Sequence, residues 1–305
     1  MQAKLNRFTQ QARKSVRKKV SNHESTHSGL ISIHRLYCNL TGFLHVLPDY
    51  YIIGGQKCGT GSLYTYLNQH PNVQPSLSKE PSYYDRYFHR GLNWYKIFFP
   101  FKFHKFYYQK ILKKKFVTGE ASVRYLDHPF TPKRLKDISP NAKFIVLLRN
   151  PIDRAYSQYT RVSGTKRDSL SFEDAIEKEN ERTEHDYQKM ISDEYYWPAD
   201  FFRLSYLSRG IYVDKLKRWM EIFPKERFLI LQSEEFFKNT SKVYKQVIEF
   251  LGLPKHELKE YRQIGKAKYK QEKMKPETRE KLIEFFKPHN QELYKFLGRE
   301  FDWDK

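Results

Sequence analysis

Two stretches of this 305-residue chain carry residue types and spacings suited to binding anions. The first is YYIIGGQKCGTGSLYTYL, residues 50–67, where an apolar run passes through glycines into a helix-like segment with Lys57 inside the turn. Glycines let backbone N–H groups converge on an anion at a helix N-terminus. Gly54, Gly55, Gly59 and Gly61 supply that freedom, Lys57 supplies charge, and Thr60 and Ser62 supply hydroxyls and a helix cap. A plain strand-to-helix turn is the ordinary alternative. An ATP-type loop needs G-x-x-x-x-G-K-[ST]. Gly54 and Gly59 have that separation, yet Thr60 stands where the lysine is required. The loop is therefore read as built for a phosphate compound other than ATP.

The second stretch is FIVLLRNPIDRAYSQY, residues 144–159. Arg149 ends an apolar strand, the position at which open parallel sheets bind ligands. Ser157 follows eight residues later on the next helix. An arginine there offers a bidentate grip on a second phosphate. An arginine paired with a carboxylate or a helix end is the equal alternative.

Strands and helices must position these residues. Apolar runs predict strands at Tyr50–Ile53, Phe116–Thr118, Phe144–Leu148 and Phe228–Leu231, all but the short Phe116–Thr118 reading as buried. Helical patterns fall at Ser62–Asn68, closed by His70-Pro71, then after Asn150-Pro151, at Thr240–Leu251 before Gly252, and from Pro276 onward. The alternation predicts an α/β fold, P-loop-like and three-layered, with a mainly parallel central sheet flanked by helices. Residues 164–200 are charged and without clear period, and read as an insertion or flexible cap. His70 reads as structural.

Lysine and arginine number 56 against 35 acids, a formal charge of +21, which points to anionic partners. A lysine-rich protein without such a partner is the plain alternative. Two cysteines, Cys38 and Cys58, argue against a disulfide framework. The least polar stretch, residues 29–48, carries His34, Arg35 and His45 and falls short of a span of about 20 apolar residues. With no visible signal peptide, a cytoplasmic setting is expected. Residues 1–20 hold seven basic residues and no acid, and suit peripheral contact with an anionic membrane as well as a solvated terminus.

Taken together, QKCGTGSLYTYL and LLRNPIDRAYSQY resemble the sulfotransferases that use 3′-phosphoadenosine 5′-phosphosulfate (PAPS). KEPSYYD (79–85), RGLNWYKIFFP (90–100), RGIYVDKLKRWM (209–220) and the ending LIEFFKPHNQELYKFLGREFDW narrow the likeness. They resemble the branch holding heparan sulfate N- and 3-O-sulfotransferases and bacterial sulfotransferase-domain proteins. The resemblance implies a sulfotransferase domain over 48–305, and the basic composition ahead of it reads as an N-terminal arm over 1–47. It assigns Lys57, Cys58, Gly59, Thr60, Gly61 and Ser62 to the 5′ end of PAPS, and Arg149 and Ser157 to its 3′-phosphate. Lys266, Lys268 and Lys270 are candidates for a further 3′-phosphate contact. Glu80 falls where the branch keeps its catalytic base; without the resemblance, a surface ion pair with Lys79 is the simpler reading. Lys57 is implied as a catalytic cation at the leaving phosphate, and no metal is required.

The chain also departs from the pattern. Gly61 replaces a residue that is often Thr or Ser, with Ser62 as compensation. Ala121, in GEASVRYL, stands where heparan enzymes place a lysine, and the paired cysteines of those enzymes are missing. The implied acceptor is a carbohydrate or another anionic or hydroxylated molecule; Tyr83, Tyr84, Arg86, Trp94 and Arg124 read equally as residues lining its cleft and as packing or surface. No specific nucleic-acid partner is expected. A nucleotide or small-molecule kinase and a non-catalytic polyanion binder are the competing readings. The missing G-K-[ST] opposes the first, while charge alone, which gives salt-sensitive and unselective attraction, supports the second.

Overall fold

The computed structural model describes residues 36–262 and 274–304. Its centre is a five-stranded parallel sheet: β1 (Tyr50–Gly54), β2 (Val73–Pro75), β3 (Val117–Glu120), β4 (Lys143–Leu148) and β5 (Phe228–Gln232), in the order β2-β3-β1-β4-β5. β1 and β4 are fully or almost fully buried because they lie centrally and are covered on both faces. Their side chains alternate between two cores. Tyr51, Ile53, Phe144 and Val146 pack with Leu216 and Trp219 on one face, while Tyr50, Ile52, Ile145 and Leu147 pack with Leu63, Val243 and Val247 on the other. β5 is an edge strand with mostly half-buried residues, so its apolar run overstates its burial. The three-residue edge strand β2 is too short to leave a periodic signal.

Helices close both faces. α1 (Thr60–Leu67) and α7 (Thr240–Phe250) lie against one; α2 (Thr131–Ile138), α5 (Val213–Ile222) and α8 (Pro276–Leu297) lie on the other. α3 (Pro151–Ser163) follows β4, with Asn150 as its cap: the Asn150 Oδ1 accepts from the Ile152 N–H at 3.0 Å. α6 (Ser233–Lys238) follows β5 directly. His70 fastens the end of α1, with Nε2 3.0 Å from the Pro254 carbonyl and Nδ1 accepting from the Asn72 N–H at 3.0 Å.

Residues 164–200 are more regular than their composition indicates. They form a helix at Phe172–Glu177 and α4 (Glu179–Ser192). Apolar residues are sparse there because polar contacts share the anchoring. The Glu179 carboxylate accepts from the Tyr206, Leu207 and Ser208 N–H groups at 2.6–2.9 Å, and Arg182 pairs with Asp168 at 3.0 Å. Of the segment assigned to an arm, residues 36–47 are described, and Cys38 and Val46 are buried there. Cys38 and Cys58 form no disulfide. Residues 1–20, Lys266, Lys268 and Lys270 lie outside the described residues.

Candidate active site

The chain leaves β1 toward β2 and β3 on one side, and leaves β4 toward β5 on the other. Adjacent parallel strands whose connections diverge open a crevice at their carboxyl ends. β1 and β4 are such a pair, held in register by Tyr51 against Phe144 and Ile52 against Ile145. The loop after β1 carries Lys57, and the residue after β4 is Arg149, so the crevice has a cation on each lip.

A cavity of about 620 Å³ occupies this crevice. Its loop wall holds Gln56, Lys57, Gly59, Thr60, Gly61 and Ser62; α3 contributes Asp153, Ser157 and Arg161; Glu80 and Arg124 stand on the remaining side. Eight sequence-derived candidates thus share one cavity: Lys57, Gly59, Thr60, Gly61, Ser62, Glu80, Arg149 and Ser157. Cys58 differs. Its thiol is buried in the core behind the loop and pushed up to about 11 by that burial, so only its backbone belongs to the turn.

The loop is shaped to present N–H groups. The Lys57 carbonyl accepts from Arg149 Nη1 at 3.3 Å, and the Cys58 carbonyl accepts from Ser233 Oγ at 2.7 Å. These contacts turn carbonyls away, while the N–H groups of Gly59, Thr60 and Gly61 make no hydrogen bond among the described residues. Unsatisfied amides at the start of α1 carry the positive end of its dipole. Lys57 itself adopts φ 69°, a left-handed conformation uncommon outside glycine, and Gly59 adopts φ 92°. Only these turns bring the chain from β1 into α1 around an open centre.

Lys57, Arg149 and Arg161 have no carboxylate within ion-pair distance among the described residues. Burial lowers the Lys57 ammonium pKa, and the neighbouring Arg161 and Arg149 lower it further. Three cations thus stand beside amides that make no hydrogen bond among the described residues, with Asp153 and Glu234 also lining the cavity. Arg161 escaped the sequence reading, although Asp153, Ser157 and Arg161 recur at four-residue steps and therefore share one face of α3.

Beneath the loop lies a charged frame. Arg209 donates to Asp127 through Nε and Nη2 at 2.9 and 2.7 Å and to the Gln56 side chain, while Lys215 reaches Asp127 at 2.9 Å. Burial alone would raise Asp127, but Arg209 and Lys215 outweigh it and hold the carboxyl at about 2. The frame fixes Gln56 at the entrance to the turn.

On the far side Glu80 pairs with Lys79 at 2.8 Å, the simple contact its sequence neighbour suggests, and still faces the cavity. The Ala121 N–H donates to the Lys79 carbonyl at 2.9 Å, tying this segment to the end of β3. Ala121 is fully buried and contributes nothing to the lining; Arg124 stands there instead, its guanidinium 5.3 Å from the Trp197 ring centre. Arg86 covers the same ring at 4.8 Å. Tyr83 and Tyr84, which sequence offered as cleft residues, are core: they pack on Tyr95, with Tyr83 stacked at 4.5 Å.

Comparison with known proteins bears on this arrangement. Heparan sulfate glucosamine 3-O-sulfotransferase 3B1 of Mus musculus is 27% identical over 280 residues, 85% of this chain and 65% of the relative. Membrane-associated sulfotransferase kil1 of Dictyostelium discoideum is 25% identical over 327 residues, 86% of this chain and 68% of its own length. The chain thus spans about 65% of the mouse enzyme's length. Among solved structures, a sulfotransferase from Alicyclobacillus acidocaldarius matches with TM-score 0.63 and 28% identity, over 85% of this chain and 100% of that one. The Sulfotransferase domain family matches residues 47–304, and the chain belongs to that family.

Proposed function

We propose that this protein transfers a sulfuryl group from PAPS to a hydroxyl or amine, on a carbohydrate acceptor, with Glu80 as the base. The observation that carries the reading is the meeting in one cavity of a loop whose Lys57 makes no ion pair among the described residues and a carboxylate facing it. At about 620 Å³ the space is in the range of roughly 300–1,000 Å³ usual for small-molecule sites.

PAPS supplies an activated sulfur–oxygen bond whose cleavage leaves a charged 5′-phosphate. Lys57 and the amides of Gly59, Thr60 and Gly61 are suited to hold that phosphate and stabilise its growing charge, being fixed before reaction. Arg149, Ser157 and Arg161 are suited to the 3′-phosphate. Glu80 takes the proton that the acceptor oxygen or nitrogen loses as it bonds to sulfur. Lys79, 2.8 Å from Glu80, holds that carboxylate in place between turnovers. The carbohydrate assignment is supported by relatives named for heparan sulfate and by the Arg86–Trp197–Arg124 stack, which offers charge and a flat ring.

Calorimetric titration with adenosine 3′,5′-bisphosphate tests the donor half. Charge-assisted hydrogen bonds contribute about 1.5–3 kcal/mol each. Lys57→Ala and Arg149→Ala are therefore expected to weaken binding about 10- to 100-fold, with ATP–Mg²⁺ bound poorly by every variant. Preference for ATP would restore the kinase reading, and no binding of either nucleotide would leave the polyanion reading.

A further inference from the structure

At the amino ends of β1, β3 and β4, opposite the cavity, a hollow of about 850 Å³ is lined by Lys96, Lys102, Lys105, Lys115 and Lys143, with Asp49 as its only acid. Two segments meet beside it, since His45 bridges Phe101 and the two rings lie 4.0 Å apart. The first runs from residue 36 to 44 and sits against Asn93; the second covers residues 101–115.

Both expose apolar side chains to an unusual degree. Leu40 is 62%, Phe43 56%, Phe103 76%, Phe106 53%, Tyr107 42% and Ile111 61% exposed. Single exposed apolar residues need no explanation, but a group on one side of a molecule does. The charge carried by these segments is one-signed: residues 86–119 hold nine lysines and arginines and no acid, and residues 36–48 hold no acid either. A hydrated polyanion would use the lysines and leave Phe103 and Ile111 in water. A surface that is negative outside and apolar just beneath uses both.

We propose that this face docks the protein on an anionic lipid bilayer, with Phe103, Phe106 and Ile111 entering the interface and the lysines of 102–115 meeting headgroups. Strands of four to six residues at about 3.3 Å each then hold the cavity some 13–20 Å from the lipid. The protein is thereby oriented toward acceptors that stand away from the membrane.

The test is sedimentation of the full chain with phosphatidylcholine vesicles, with and without phosphatidylserine. Binding is expected only to the serine-containing vesicles and should fall as salt rises. Phe103→Glu/Phe106→Glu/Ile111→Glu and Lys110→Glu/Lys113→Glu/Lys114→Glu are each expected to reduce partition at least about tenfold. Both should keep wild-type melting temperature and bisphosphate affinity, since the altered groups are exposed and outside the cavity. A variant with Lys14, Arg17, Lys18 and Lys19 changed to Ser separates this face from the basic N-terminal stretch and is expected to retain binding. Absence of vesicle binding, surface variants that bind like wild type, or capture of a sulfated glycan in place of vesicles would each overturn the proposal.

Discussion

Two glycines of the loop, two residues apart, should respond oppositely to the same added methyl group. Gly59 adopts φ 92°, and a Cβ there would lie 2.8 Å from Phe237 Cζ and 3.2 Å from the Phe236 ring. Phe237 is exposed enough to yield, whereas Phe236 is fully buried and cannot. Left-handed backbone costs an L-residue about 1–2 kcal/mol, and overpacking adds about 1–3. Gly59→Ala is therefore expected to destabilise by about 2–5 kcal/mol, a fall in melting temperature of roughly 4–10 °C at about 2 °C per kcal/mol. Gly61 is helical, and its Cβ would meet nothing nearer than Lys79 Nζ at 3.6 Å. Gly61→Ala should gain about 0.5–1 kcal/mol by restricting the unfolded chain and supporting α1. Scanning calorimetry reads both effects, and titration with adenosine 3′,5′-bisphosphate shows whether the loop still presents its amides. Affinity should drop at least about tenfold in Gly59→Ala, by loss of one or more hydrogen bonds to the anion, and change little in Gly61→Ala. Equal shifts in the two variants, or a Gly59→Ala protein with unchanged stability and affinity, would refute this account of the turn.

Other expectations follow from the same geometry. Arg161→Ala should leave stability unchanged, since its guanidinium makes no ion pair among the described residues, and should weaken bisphosphate binding about tenfold or more in calorimetry. Asp127→Ala leaves Arg209 and Lys215 buried without their carboxylate and should cost about 3–5 kcal/mol in denaturant unfolding. Glu120, buried beneath hydroxyl donors from Tyr95, Ser122 and Tyr125, is pushed up to about 8 chiefly by that burial. The fold thus holds a proton that the unfolded chain releases near about pH 4.3; this contribution is complete below that pH and lost as pH rises through about 8. Glu120→Gln should flatten the fall in stability across that window, and an unchanged slope would contradict the assignment.

The loop, the strand end at Arg149 and the helix bearing Ser157 were legible because each is local: glycines, an apolar run and an Asn-Pro start fix them within a few residues. Arg161 was less so, since its role depends on which face of α3 turns toward the crevice, a tertiary fact hinted at only by its spacing from Ser157. Cys58 shows the converse, a residue within the motif whose side chain turns into the core. Tyr83 and Tyr84 stayed open between cleft and core because aromatic pairs serve both, and only packing on Tyr95 decides for the core. The helices at 172–192 were hidden because hydrogen bonds to Glu179 and Asp168 take over part of the anchoring that apolar periodicity usually reveals.

The central claim is that Glu80 and the Lys57 loop act on the same reaction from opposite sides of one cavity. Its most direct test is transfer of radiolabelled sulfuryl from PAPS to a panel of oligosaccharides by wild type and Glu80→Gln, with bisphosphate affinity measured in parallel. Loss of a general base is expected to lower the rate about 10²- to 10⁴-fold while the affinity of Glu80→Gln for the bisphosphate stays within about twofold of wild type, as expected for a side chain that does not contact the phosphates. A Glu80→Gln protein that turns over like wild type, or one that loses bisphosphate binding instead of rate, would contradict the account.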